Sequence, residues 1–188
     1  MEFVQPIRDK RKIALMKEIL KEKSMRDYCL FVLGINSGLR ISDLLNLKIG
    51  DAFDGVHPKD RISLREQKTG KERDFPLGST ARAAICEYLQ TMDNVDADKP
   101  LFPSRKGESP ISRQQAYRIL NDAARQAGIK DKIGTHTLRK TFGYHAYKCG
   151  IDITVLQQLL NHSAPSVTLR YIGITRDDLD NVYKGLNL

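Results

Sequence analysis

Transferring a phosphodiester without a metal ion requires cations for the non-bridging oxygens, a nucleophile, a base to take its proton and an acid for the leaving oxygen. The chain carries residue types for each task. His136 and Arg139 stand three apart, so at the start of one helix an imidazole and a guanidinium project to the same side and can address one phosphate. The planar fork of arginine meets phosphate oxygens in pairs, which makes Arg40 and Arg139 a candidate clamp. Each residue alone has an ordinary alternative, since an arginine is usually solvated or ion-paired and a lone histidine is usually structural. His57, in a loop flanked by Gly and Pro, and His145, on a helix face, take that ordinary reading. No HExxH pair and no zinc-spaced cysteines occur, so no metal is assigned.

These residues need elements to position them. Apolar residues at helical spacing predict helices over 9–22 and 25–36, the second stopped by Ser37-Gly38, where Gly38 suits a left-handed cap. A short helix follows over 41–47, so Arg40 falls in a tight joint where free backbone N–H groups favour anions. Residues 61–66 alternate with period two, Lys68-Thr69-Gly70-Lys71 turn the chain and 72–75 return it, a β-hairpin with Lys68 beside its turn. Helices resume over 79–89 and 112–126, the latter ended by Gly128. Thr135-His136 leads into a helix that ends at Gly150, and Asp152 caps another through Leu160. A final turn holds 161–171, and an amphipathic tail runs over 177–186. The pattern predicts a mainly α chain with a small antiparallel β-sheet, as one domain over 1–188.

With 188 residues and 40% hydrophobic residues the chain can bury a core. The 31 Lys and Arg against 23 Asp and Glu give a formal net charge of +8, which suits a polyanionic partner. Cys29, Cys86 and Cys149 are odd in number and far apart, so no disulfide framework is written here. No signal peptide and no apolar run of about 18 residues is present, and the expected setting is cytoplasmic with no membrane partner.

Four blocks together carry a resemblance: Ser37-Gly-Leu-Arg-Ile-Ser-Asp-Leu-Leu-Asn-Leu47, Gln67-Lys-Thr-Gly-Lys71, His136-Thr-Leu-Arg139, and Leu160-Asn-His-Ser-Ala-Pro-Ser-Val-Thr-Leu-Arg-Tyr171. In order and spacing they closely resemble the tyrosine recombinase, or phage integrase, family, and the resemblance covers nearly the whole chain. It implies the fold of that family's catalytic domain and the cutting and rejoining of DNA through a 3′-phosphotyrosine, for integration, excision or inversion of a mobile DNA element. By this resemblance Tyr171 matches the nucleophile, and Arg40 and Arg139 match the arginines that hold the scissile phosphate. His136 matches the assisting base, Lys68 the hairpin acid for the departing 5′ oxygen, His162 a further donor to the phosphate, and Asp43 the acidic residue that supports the site. A phenol, with a pKa of about 10, is a weak nucleophile unless a base and nearby cations favour its phenolate. The phosphotyrosyl bond keeps the energy of the broken phosphodiester, so neither metal, ATP nor another cofactor is expected.

Two positions depart from the family pattern: Asn161 stands where many members carry Gly, and Gly173 where a His is common. Full-length members usually add an N-terminal core-binding domain, and here the catalytic pattern begins almost at Met1, which reads as either a fragment or a naturally short protein, the second being the favoured expectation. The resemblance further implies double-stranded DNA and a homotetramer on paired sites as partners. The tail over 172–188, with Leu179, Val182, Tyr183 and Leu186 in a stripe, is open to packing in cis or in trans. Arg113 and Gln114, opening a helix similar to the family's major-groove reader, join Lys71 and Lys140 as expected DNA contacts. Rival readings are a type IB topoisomerase-like nicking-closing enzyme, a non-cleaving DNA-binding accessory protein and a generic helical DNA-binding module.

Overall fold

The computed structural model describes residues 4–105 and 109–174, together with Asp178 and Gly185. Asp9 opens the first helix as its N-cap, accepting from Arg11 N at 2.8 Å ahead of α1 (Lys10–Lys23). Ser24 caps α2 (Met25–Ser37), in which Cys29, Leu30, Phe31, Val32, Leu33 and Gly34 are all buried. Six consecutive buried residues mean a helix covered on every side, and α2 is the central rod of the molecule. Short helices α3 (Ile41–Leu45) and α4 (Ile49–Ala52) follow, then the antiparallel pair β1 (Arg61–Arg65) and β2 (Glu72–Pro76) in the register Ile62↔Phe75 and Leu64↔Arg73. The remaining helices are α5 (Ser79–Leu89), α6 (Arg113–Gln126), α7 (Thr137–Lys148), α8 (Ile153–Leu159) and α9 (Pro165–Ile172).

Around α2 pack α1, α5 and α7, with α6 against α1 and α9 against α7. Met16, Phe31, Leu33, Ile85, Phe102, Leu120 and Leu138 belong to a single buried cluster, and Ile62 ties the hairpin to it. Two glycines set the geometry that matters for chemistry. Gly38 ends α2 with φ 60°, in the left-handed region, and this sharp turn brings Arg40 to the N-cap of α3. Gly143 lets α9 close on α7, because a Cβ there would lie 2.7 Å from Ile172 Cγ2. The Arg40 joint and the tyrosine helix thus both converge on α7.

The observed elements follow the sequence expectations with two differences. The expected helix over 41–47 stops at Leu45, because the Asp51 carboxylate accepts from Lys48 N at 2.8 Å and starts α4 afresh. The segment 161–171, expected as a turn, contains α9, entered through Pro165, whose fixed φ suits the first helical position. Leu179, Val182, Tyr183 and Leu186 lie outside the described residues. No helix among the described residues is long and apolar enough to cross a membrane.

The joint yields a stability test. Gly38→Ala would place a Cβ 2.5 Å from Phe142 Cδ1 on a left-handed backbone. Urea unfolding should show a loss of roughly 1–3 kcal/mol relative to wild type, and an unchanged midpoint would contradict the tight joint.

Candidate active site

Arg139 is set in the first turn of α7, which packs into the core through Leu138, so its side chain is only 3% exposed. A buried guanidinium needs acceptors. Nη1 donates to Gly38 O and Nη2 to Leu160 O, each at 2.6 Å. One side chain therefore ties α7 to the Arg40 joint and to the end of α8. Burial pushes its pKa down to about 10, with the negative charge of an ionised Tyr171 working the other way and the charge of Arg40 adding to the fall. It remains a cation at neutral pH.

Tyr171 lies in the last turn of α9, with its hydroxyl 3.5 Å from His136 Nδ1, at the outer limit of hydrogen-bond length. The His162 ring meets the tyrosine edge-on, with centroids 4.8 Å apart and planes at 68°. His162 is itself held: its Nδ1 is 3.0 Å from Thr168 Oγ1 and its backbone N donates to Gln157 O at 3.0 Å. The turn into it requires φ 48° at Asn161, a left-handed conformation that Asn tolerates almost as glycine does. The departure from the family's glycine is thereby accounted for by backbone geometry.

Burial lowers the pKa of His136, and the charges of Lys140, Arg139, Lys68 and Arg113 lower it further. His162 is lowered by burial and then by Arg139 and Arg40. Burial raises the Tyr171 phenol, while Arg139, Arg40 and a hydrogen bond from Arg139 pull it back down. At neutral pH the arrangement is a protonated phenol facing a neutral imidazole that can accept its proton.

Arg40 approaches from α3, where its Nη1 lies 2.6 Å from Glu66 Oε2 and 3.9 Å from Asp43 Oδ2. Asp43, buried, accepts from Gln67 N at 2.9 Å through Oδ1 and so anchors the hairpin turn. Glu66 and Arg73 were missed in the sequence reading. Glu66 is 4% exposed, accepts from Thr69 Oγ1 at 2.7 Å and faces Arg73 Nη1 at 3.4 Å. Arg73 Nη2 donates to Ser37 O at 2.9 Å. The signal was present in the strand alternation: Glu66 continues the parity of Ile62 and Leu64 one residue past the end of β1, which puts a carboxylate on the inward side, where a charge needs a partner.

Arg40, Ser42, Gln67, Lys68, Arg113 and His136 line an open cleft of about 450 Å³. Lys68 stands exposed in the hairpin turn at its rim. A groove of about 460 Å³ between β2 and α8 is similar in size but is lined by none of Arg40, Lys68 and His136, while Tyr171, Arg139 and His162 line neither opening. Among the expected DNA contacts, Arg113 faces the cleft and Gln114 is exposed beside it on α6. Lys71 reaches Asn161 Oδ1 at 3.3 Å, outside the cleft. Lys140 is placed differently from expectation: it is 6% exposed, its Nζ donates to Val4 O at 2.8 Å, and it sits 5.2 Å from the Tyr171 ring centroid. Its charge stands beside the Tyr171 ring. His145 Nε2, 2.9 Å from Ile7 O, has a structural partner, and His57 stays in its exposed loop.

Burial tends to raise the Glu66 pKa, but hydrogen bonds from Thr69 and Arg40 and the charges of Arg40 and Arg73 hold it below the usual carboxylate range. A depressed carboxylate contributes stability above its unfolded pKa and loses that contribution as pH falls through the folded value. Glu66→Gln should therefore cost about 2 kcal/mol at pH 7. The gap from wild type should close as unfolding is repeated down through the carboxylate range, and a gap that stays constant with pH would contradict the pairing.

The sequence pattern of the phage integrase family matches residues 7–177. The probable integrase/recombinase YoeC of Bacillus subtilis (strain 168) is 48% identical over 184 residues, 98% of this chain and 97% of that protein. The crystal structure of XerA recombinase superposes with a TM-score of 0.77 at 26% identity, covering 100% of this chain and 66% of that one. The fold is also that of XerH site-specific recombinase, solved bound to a palindromic difH substrate in a post-cleavage complex, with a TM-score of 0.73 at 19% identity over 96% of this chain and 52% of that one. The chain thus spans nearly all of YoeC but only about half to two thirds of the two Xer chains. A family match running through both arginines, both histidines and the tyrosine, together with a relative so similar along almost its entire length, identifies the chain as a member of the phage integrase family, a tyrosine recombinase.

Proposed function

We propose that this chain cleaves and rejoins double-stranded DNA through a 3′-phosphotyrosine at Tyr171, as a site-specific recombinase that moves or inverts a DNA element in the cytoplasm. Arg40 and Arg139 hold the scissile phosphate and offset the charge of its pentacoordinate transition state. The Tyr171 oxygen attacks phosphorus and His136 takes its proton. The bond to the 5′ oxygen breaks as Lys68 supplies a proton to it, and His162 adds a hydrogen bond to a non-bridging oxygen. Reversal with a new 5′ hydroxyl reseals the strand without ATP, and Asp43 holds the Arg40 joint and the hairpin together. Arg113, Gln114 and Lys71 contact the flanking duplex, and four copies act on two paired sites.

The observation that carries this reading is the Tyr171 hydroxyl set 3.5 Å from His136 Nδ1, an imidazole whose pKa burial and positive neighbours lower, with Arg139 drawing the phenol's pKa down. Support for DNA as the partner comes from the net charge of +8 and from the difH substrate held on the same fold by XerH. Burial, reinforced by the cations beside them, keeps His136 and His162 in the form that accepts a proton near neutral pH.

A nicked suicide substrate bearing the crossover site, or DNA flanking the gene, should trap a covalent protein–DNA band in wild type and none in Tyr171→Phe. A band that persists in the variant would remove Tyr171 from its role. Lys68→Ala should slow cleavage roughly a hundredfold or more. A substrate with sulfur in place of the bridging 5′ oxygen, whose leaving group needs no acid, should recover the rate. With pH, wild-type cleavage should stay level from neutrality down to the ordinary histidine range and decline only below it, as protonation of the depressed His136 removes the base. A decline beginning above that range would assign the base elsewhere.

A further inference from the structure

Lys68 is exposed on a flexible four-carbon stem, so the position of its ammonium depends on how firmly the hairpin turn is held. Two carboxylates grip that turn on either side of it. Asp43 accepts from Gln67 N, and Glu66 accepts from Thr69 Oγ1 at 2.7 Å through Oε2 and from Gly70 N at 2.8 Å through its backbone carbonyl. The Glu66 oxygen that takes the threonine hydroxyl is the one lying 2.6 Å from Arg40 Nη1. Its other oxygen faces Arg73, which returns to Ser37 O at the start of the Arg40 joint. A closed circuit therefore runs from the joint through Arg40, Glu66 and Thr69 to the turn, and through Arg73 back to the joint.

We infer that Glu66 is a positioning residue that couples the phosphate-holding Arg40 to the hairpin turn carrying Lys68, with the Thr69 hydroxyl as the link. A phosphate that fixes Arg40 thereby also fixes Glu66, and Glu66 fixes the turn, so the acid is aligned when the scissile group is in place. The inference rests on the cleavage chemistry proposed above, in which the tyrosine oxygen–phosphorus bond forms, the phosphorus–5′ oxygen bond breaks, and one proton passes from Lys68 to that oxygen.

The coupling can be separated from folding and from the identity of the nucleophile. Single-turnover cleavage is measured on an ordinary suicide substrate and on one with bridging 5′ sulfur. Thr69→Val, which removes the link and leaves the Arg40 contact, should slow the ordinary substrate about tenfold and cleave the sulfur substrate at the wild-type rate. Thr69→Ser, which restores the hydroxyl, should match wild type on both. Glu66→Gln should slow both substrates, the ordinary one more, because Arg40 and Lys68 are both released. Wild-type rates for Thr69→Val on both substrates, or equal slowing on both, would overturn the coupling. A wild-type protein that forms no covalent complex, or a Tyr171→Phe protein that does, would overturn the cleavage chemistry itself.

Discussion

The site depends on a single buried guanidinium. Arg139 gives two N–H groups to the carbonyls of Gly38 and Leu160, which belong to segments far apart in the chain, and so it fastens the Arg40 joint, α7 and the approach to His162 and Tyr171 into one body. A buried charge without acceptors costs several kcal/mol, so these two carbonyls are part of what allows the cation to exist there. The glycines at 38 and 143 serve the same convergence from the backbone side, one by its left-handed turn and one by admitting Ile172 against α7.

Clustering cations in one place has electrostatic consequences that suit phosphoryl transfer to a phenol. Burial and positive neighbours keep His136 and His162 unprotonated, while burial keeps the Tyr171 phenol protonated against the pull of the two arginines. The proton is thus held on Tyr171 with an unprotonated imidazole beside it, and in the proposed reaction an incoming phosphate would bring negative charge to the two arginines. Before DNA arrives, Glu66 and Asp43 provide part of that compensation for Arg40. The acidic residues are therefore as much a part of the proposed phosphate site as the basic ones.

Much of this was legible in the sequence, for identifiable reasons. The Asp152 cap and the left-handed Gly38 mark helix ends through local hydrogen bonding and backbone geometry, which need no tertiary information. Four motif blocks in order contain Arg40, Lys68 and His136, which line the cleft, and His162 and Tyr171, whose rings meet beside His136. What sequence reading lost was long-range. The charge of Lys140 looked displayed because its residue type is usually solvated, whereas its partner, Val4 O, is brought in by an N-terminal segment 136 positions away. Glu66 and Arg73 were passed over as hairpin polarity because their partners, Arg40 and Ser37 O, come from another element. The helical character of 165–172 was hidden by Pro165, which reads as a breaker unless it is placed at the first turn.

The most direct test of the Arg139 staple compares Arg139→Lys with Arg40→Lys by amide hydrogen exchange over 160–172, alongside DNA cleavage. Both substitutions keep a charge near the phosphate, but only Arg139→Lys removes the fork that spans the two carbonyls. Arg139→Lys should show faster exchange around Leu160 and along α9 with loss of cleavage, and Arg40→Lys should show loss of cleavage with unchanged exchange there. Unchanged exchange in Arg139→Lys would contradict the staple, because the tyrosine helix would then be held in place by something other than Arg139.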